Sequence, residues 1–289
     1  MSDKLTLKNQ TSAGIPLEAT FLPEKGMNMV SFKKGDVEVI DQSTWELFNE
    51  RFAGLGALIG PHFHHRKLIT PIPDESLFPH IGRIKAKGIQ EPFSHGIARY
   101  APWRVEATET TIKAEISGKD TWNGVPLALL EGQEFQMIFQ IALTATGLRL
   151  HLAVVSDTDS LVGLHYYYRL PDGKGKIKSF TQDYYVKDGK KEKIPSNWDY
   201  NSQRLLTLSL DKEIDFTFYP FPHPLEGHII LETSEYQLAT TYACKCQENC
   251  WQLYHPLNAS YVCIEPISSQ DPRHPNLTTS ELWIELEIL

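Results

Sequence analysis

No stretch of the 289 residues runs 18 apolar positions without interruption, and the opening MSDKLTLKNQTSAG holds no apolar block. Neither a membrane-spanning helix nor a secretion signal is therefore expected, and a cytoplasmic setting is. Basic residues are also in deficit. The 28 Lys and Arg against 36 Asp and Glu leave a net charge of −8, so no basic face is expected and no nucleic acid as a partner. There are only four cysteines, Cys244, Cys246, Cys250 and Cys263, read as reduced thiols. The spacing C-x-C-x3-C departs from paired C-x2-C zinc ligands and no second cluster follows, so no metal is expected there. Tandem repeats are missing, as is any Ser/Gly/Pro-rich stretch long enough to link two domains. The chain reads as one domain over 1–289.

Helical periodicity is scarce as well. The one candidate lies in 44–58, whose glycines argue for an early stop. What dominates is alternation with a period of two. In GQEFQMIFQIAL, Phe135, Met137, Phe139 and Ile141 point one way while Glu134, Gln136 and Gln140 point the other. TATG at 144–147 turns the chain, and Leu148, Leu150, Leu152 and Val154 repeat the pattern, which makes a hairpin. Near the C-terminus Leu282, Ile284, Leu286 and Ile288 alternate with glutamates. Further strands are expected near 28–33, 103–117, 162–169, 204–209, 214–219, 228–233 and 259–265. The class is all-β, a sandwich or barrel. The exception is 62–93, rich in His, Pro and Arg and with little period; a long irregular loop of this kind is usually functional or disordered.

Three segments concentrate chemistry: SHGIARYAPWRV from Ser94, LVGLHYYYRLP from Leu161 and YVCIEPISSQDPRHPN from Tyr261. Singly, each has a plain explanation: a loop histidine, a core histidine among tyrosines, a carboxylate at a strand end. Jointly they say more. On a strand over 161–169, His165 and Tyr167 share one face while Leu164, Tyr166 and Tyr168 share the other. On a strand over 259–265, Cys263 and Glu265 share a face. A histidine and a carboxylate could thus project from one sheet among aromatic rings, which suits the C–H faces and hydroxyls of a sugar.

These segments resemble the aldose 1-epimerase (galactose mutarotase) family. His95-Gly96, Ala98-Arg99 and Pro102-Trp103 resemble its HG-x-A-R…P-W stretch, and Gly163-Leu164-His165 its G-x-H strand. Ile264-Glu265-Pro266 with the loop to Asn276 resembles its E-P…N segment, and Gly60-Pro61 through Arg66 the element before them. The resemblance implies an antiparallel β supersandwich, a sugar or sugar phosphate as partner, and no cofactor. It implies His165 as general acid towards the ring oxygen and Glu265 as general base on the anomeric hydroxyl. His95 and Arg66 would bind and polarise the sugar, with Tyr167 beside them. An aspartate on an intervening strand is expected too, Asp215 or its competitor Asp199. The HG-x-A-R form is similar to the branch acting on hexose 6-phosphates, in which an arginine at Arg99 helps hold the phosphate; an arginine capping a carboxylate elsewhere is the alternative. His62, His64 and His65 read as loop or sugar-contacting histidines. A non-catalytic sugar binder on the same scaffold stays open. A glycosidase is disfavoured, because it needs paired carboxylates and only Glu265 stands in a motif.

Overall fold

The computed structural model describes residues 4–62, 72, 74–274 and 276–289. Arg66, His64 and His65, assigned roles above, lie outside the described residues. Among these residues 20 strands form one continuous, wholly antiparallel sheet that folds onto itself as two layers. One layer runs 104–107, 111–117, 135–143, 148–156, 279–288, 237–244 and 226–232 in spatial order. The other runs 5–10, 16–22, 28–34, 56–59, 163–169, 261–267, 250–255 and 214–220. The strand Lys176–Lys187 belongs to both. Its first half pairs with Leu205–Ser209 and Glu226–Glu232, its second with Ile214–Pro220 and Lys190–Lys193. A register shift between Thr181 and Tyr185 turns it from one layer into the other, the usual work of a bulge.

Alternation explains the core. Phe135, Met137, Phe139 and Ile141 are buried against Leu148, Leu150, Leu152 and Val154 of the facing hairpin strand, and Leu282, Ile284, Leu286 and Ile288 continue the same apolar sheet. Each such side chain contributes roughly 1.5–3 kcal/mol by leaving water. The hairpin closes with Leu143 opposite Leu148 around 144–147.

Two expectations need correction. The single strand expected over 103–117 is a hairpin, Arg104–Ala107 and Thr111–Ser117, because the Thr108 hydroxyl accepts the Thr111 N–H at 3.0 Å and closes a turn. The irregular stretch 62–93 contains a helix, Pro79–Lys85, whose first position is proline. Within 44–58 the helix runs Trp45–Arg51 and stops at Phe52, which takes a left-handed backbone (φ 59°); a strand, Gly56–Ile59, follows. Lys176–Lys187 was not anticipated, since its buried face includes Ser179 and Thr181 and mutes the apolar period.

No helix among the described residues is long and apolar enough to cross a membrane.

Candidate active site

The sheet register builds a row of functional groups. Gly163 lies opposite Ile267 and Tyr166 opposite Ile264, which sets His165 across from Glu265. Glu265 in turn lies opposite Gln252, and Gln252 opposite Thr217. On the far side of His165 stands Ala57, small enough to leave the imidazole room. Side chains directly opposite in a sheet approach to about 5 Å at Cβ, so four neighbouring strands offer their groups in one line. The same alternation sends Tyr166 and Tyr168 into the core and leaves His165 and Tyr167 on a cleft of about 820 Å³. Such a volume holds a monosaccharide with room for a substituent.

His165 sits between two partners. Its Nε2 is 3.3 Å from a Glu265 carboxyl oxygen, and its Nδ1 is 3.1 Å from the Cys263 sulfur. His165, Cys263 and Glu265 bring one donor atom each within 4.8 Å of one another, a set that could hold a divalent ion. Cys263 and Glu265 address opposite nitrogens of one imidazole, Cys263 through a hydrogen bond and Glu265 through the 3.3 Å contact. Tyr167 stacks on His165 with centroids 5.2 Å apart and packs against Tyr261.

Burial governs the electrostatics. It pushes Glu265 up from 4.5 to about 8; its bond with Cys263 and the Arg99 charge oppose the rise, and Asp215 adds to it. Burial, then the Arg99 charge, holds His165 well below 6.5. At neutral pH the pair therefore shares one proton that rests on Glu265. Burial also drives Tyr167 well above 10, which keeps its phenol a proton donor.

The wall opposite the sheet is the turn 94–101. His95 takes a left-handed backbone (φ 63°) and Gly96 follows at φ 87°. A Cβ on Gly96 would meet the Gly60 carbonyl oxygen at 2.0 Å, so only glycine lets the turn dock there. The Gly60 N–H donates to the His95 carbonyl at 2.9 Å, and the Ala98 N–H donates to the Gly60 carbonyl at 3.1 Å. The docking brings the His95 ring to 5.1 Å from that of His165, centroid to centroid. Arg99 follows in the same turn. Its side chain is buried and its Nε donates to the Leu58 carbonyl at 3.1 Å. One terminal nitrogen finds no partner, and no carboxylate among the described residues pairs with it.

Asp215 lines the cleft and accepts a hydrogen bond from the Gln252 amide, while Gln252 accepts one from Thr217 at 2.5 Å. Asp199 lies in the other layer, on a short strand against Leu205–Ser209, and lines no part of the cleft. Of the residues proposed from sequence, His95, Arg99, His165, Tyr167, Asp215 and Glu265 thus surround one cleft. Sequence reasoning missed Gln252, Thr217 and Arg51, which also line it. The period-two run WQLYH could have flagged Gln252 as an inward polar residue; Thr217 and Arg51 carry no signal of their own.

No protein-family model and no curated protein matches the sequence. Solved structures do match. A galactose mutarotase-like protein from Lactobacillus casei superposes with a TM-score of 0.66 at 13% identity, covering 99% of this chain and 100% of that one. A galactose mutarotase related enzyme from Lactobacillus acidophilus gives 0.65 at 14%, with 99% and 97% covered. A GalM/aldose epimerase homologue from C. elegans gives 0.65 at 13%, with 99% of each chain covered. This chain has the galactose mutarotase-like fold. The two-layer antiparallel sheet of that fold is what presents His165 and Glu265 side by side on one face.

Proposed function

We propose that the protein is a cofactor-independent aldose 1-epimerase that interconverts the α and β anomers of a hexose. The observation that carries this reading is the His165–Glu265 contact at 3.3 Å in a cleft walled by Tyr167, His95 and Asp215. Opening a hemiacetal ring needs one proton taken from the C1 hydroxyl and one delivered to the ring oxygen. A pair holding one proton between two sites supplies both transfers. Passage of the shared proton from Glu265 to His165 across their 3.3 Å contact gives carboxylate and imidazolium; Glu265 then takes the hydroxyl proton and His165 protonates the ring oxygen, and rotation about C1–C2 with reversal of the two roles closes the other anomer. Positioned acid–base groups of this kind supply about 10²–10⁴-fold of rate. Arg99, with its unpartnered nitrogen, makes a hexose 6-phosphate the nearest variant substrate.

The test is polarimetric equilibration of freshly dissolved α-glucose, α-galactose and α-glucose 6-phosphate. Acceleration of none of them, with binding still detected by calorimetry, would leave a sugar-binding protein instead.

The pair must carry one proton, so the pH dependence follows. Above about 8 the pair loses its proton and kcat/KM falls about tenfold per pH unit. A second proton is acquired only well below 6.5, because burial disfavours the His165 cation. The expected profile is flat from well under 6.5 up to about 8; a narrow optimum centred on 6.5 would contradict it.

Asp215 accepts from Gln252 and is positioned to bind hydroxyls rather than move protons. Asp215→Asn is expected to raise KM about tenfold, the worth of one charge-assisted hydrogen bond, with kcat within about threefold of wild type. An equal fall in kcat would place Asp215 in the chemical step.

A further inference from the structure

Behind the 94–101 turn lies a second, buried group of polar side chains that the proton-transfer chemistry does not use. Glu131 ends the short helix Leu127–Glu131 and is 1% exposed. One of its carboxyl oxygens accepts the Ile97 N–H at 2.9 Å; the other contacts His62 Nδ1. His62 follows Gly60-Pro61, the segment on which Gly96 and Ala98 dock, and its Nε2 is 3.5 Å from a carboxyl oxygen of Glu91 in the cleft wall. One buried carboxyl group thus ties together the two segments whose contact sets His95.

We propose that Glu131 is a positioning residue for the active site, holding the His95–Arg99 turn in register with His165 through Ile97 and His62. The inference rests on the mutarotase reading for its kinetic consequence, but its structural content is independent of it. His95 and Gly96 both take positive φ, and a local backbone of that kind persists only where its surroundings over-determine it. Gly60 supplies two of the constraints. Glu131 supplies the constraint at Ile97, directly after the pair, and fixes Gly60-Pro61-His62 against it. Without the carboxyl group, the turn would lose its anchor at Ile97 while keeping those at Gly60. Displacement by about 1 Å of a group that must meet a sugar costs about 10²-fold in rate.

The substitution that isolates this role is Glu131→Asp, too short by one methylene to reach both Ile97 and His62. It is expected to lower kcat about 10- to 100-fold with little change in KM, and to have almost no effect in a His95→Ala background. Couplings of this kind appear as non-additivity in a double-mutant cycle. Glu131→Gln, isosteric and still able to accept from Ile97, should restore kcat to within a fewfold of wild type. A readout free of turnover accompanies these: the His95 imidazole C–H resonances, assigned through His95→Ala, should move in Glu131→Asp while those of His228, four strands along the layer from 135–143, stay in place. If no sugar is turned over even by the wild type, the functional reading fails and the resonances alone decide the positioning role. Unmoved His95 resonances in Glu131→Asp, or the same rate loss with and without His95, would overturn the proposal. Should Glu131→Asp not fold, Glu131→Met, which keeps the length but cannot accept from Ile97, decides by the same readouts: moved His95 resonances and a rate loss absent from the His95→Ala background support the proposal, and unmoved resonances or a loss independent of His95 overturn it.

Discussion

Glu265→Gln is expected to abolish anomer equilibration and at the same time to make the protein more stable at alkaline pH. The loss of activity, about 10²–10⁴-fold or more, follows from removing one of the two proposed proton-transfer groups. The gain in stability follows from linkage. Folding raises the Glu265 pKa from 4.5 to about 8 because the carboxyl group is buried. A raised folded pKa means that the folded state holds the proton better than the unfolded one. The stability contributed by the neutral form is therefore fully present below about pH 4.5 and is lost as pH climbs through 8. That span corresponds to about 5 kcal/mol between the two extremes. Glutamine keeps the shape and never ionises, so it avoids the loss. Denaturant titrations at pH 5 and pH 9 should show the variant gaining on wild type by several kcal/mol at the higher pH. A constant difference across that range would mean that Glu265 is not held neutral by burial. Such a gain would mark the wild-type residue as locally unfavourable to the fold, the pattern expected of a site kept for chemistry.

The second large effect is expected of Gly96→Ala. A Cβ at this position would lie 2.0 Å from the Gly60 carbonyl oxygen and 2.8 Å from the Pro61 nitrogen. Both are backbone atoms, so neither can rotate away. The residue also sits at φ 87°, where an L side chain is strained. Relief requires the whole turn to lift from Gly60, breaking the two hydrogen bonds that dock it and carrying His95 and Arg99 off the cleft. A destabilisation of about 3 kcal/mol or more is expected, in the upper range of single substitutions, together with loss of catalysis. Thermal denaturation and polarimetry on the same preparation would measure both. A variant that unfolds as wild type does and still turns over sugar would show that the turn does not depend on this contact. Gly26 offers a parallel case from the other side, since a Cβ there would meet the Arg99 carbonyl oxygen at 2.0 Å.

The two substitutions differ in what sequence could foresee. Glu265 was legible because it stands on an alternating strand next to a proline, in a motif with a second alternating strand carrying His165. Period-two alternation is a local property of an extended chain, so the face of each side chain is determined before any strand finds its partner. The all-β class, the 144–147 hairpin, and the pairing of Cys263 with Glu265 and of His165 with Tyr167 on shared faces all come from that local rule. The choice between Asp215 and Asp199 did not. Both lie in short extended segments, and only the division of the strands between two layers puts one in the cleft and the other outside it.

The remainder depended on tertiary structure for the same reason. Register across strands is set by loop closure and packing far along the chain, and it alone aligns Ala57, His165, Glu265, Gln252 and Thr217, drawn from five strands, into one row. The protonation of that row is set by burial, which is a sum over every neighbour and belongs to no segment. Glu131 and His62 meet from 69 residues apart, behind a turn neither belongs to, and nothing in the residues flanking Glu131 marks it. What the sequence by itself determined is which way each side chain points along its own strand. Which groups then stand within hydrogen-bonding distance, and in what charge state, was decided only when two layers of the sheet closed over a common core.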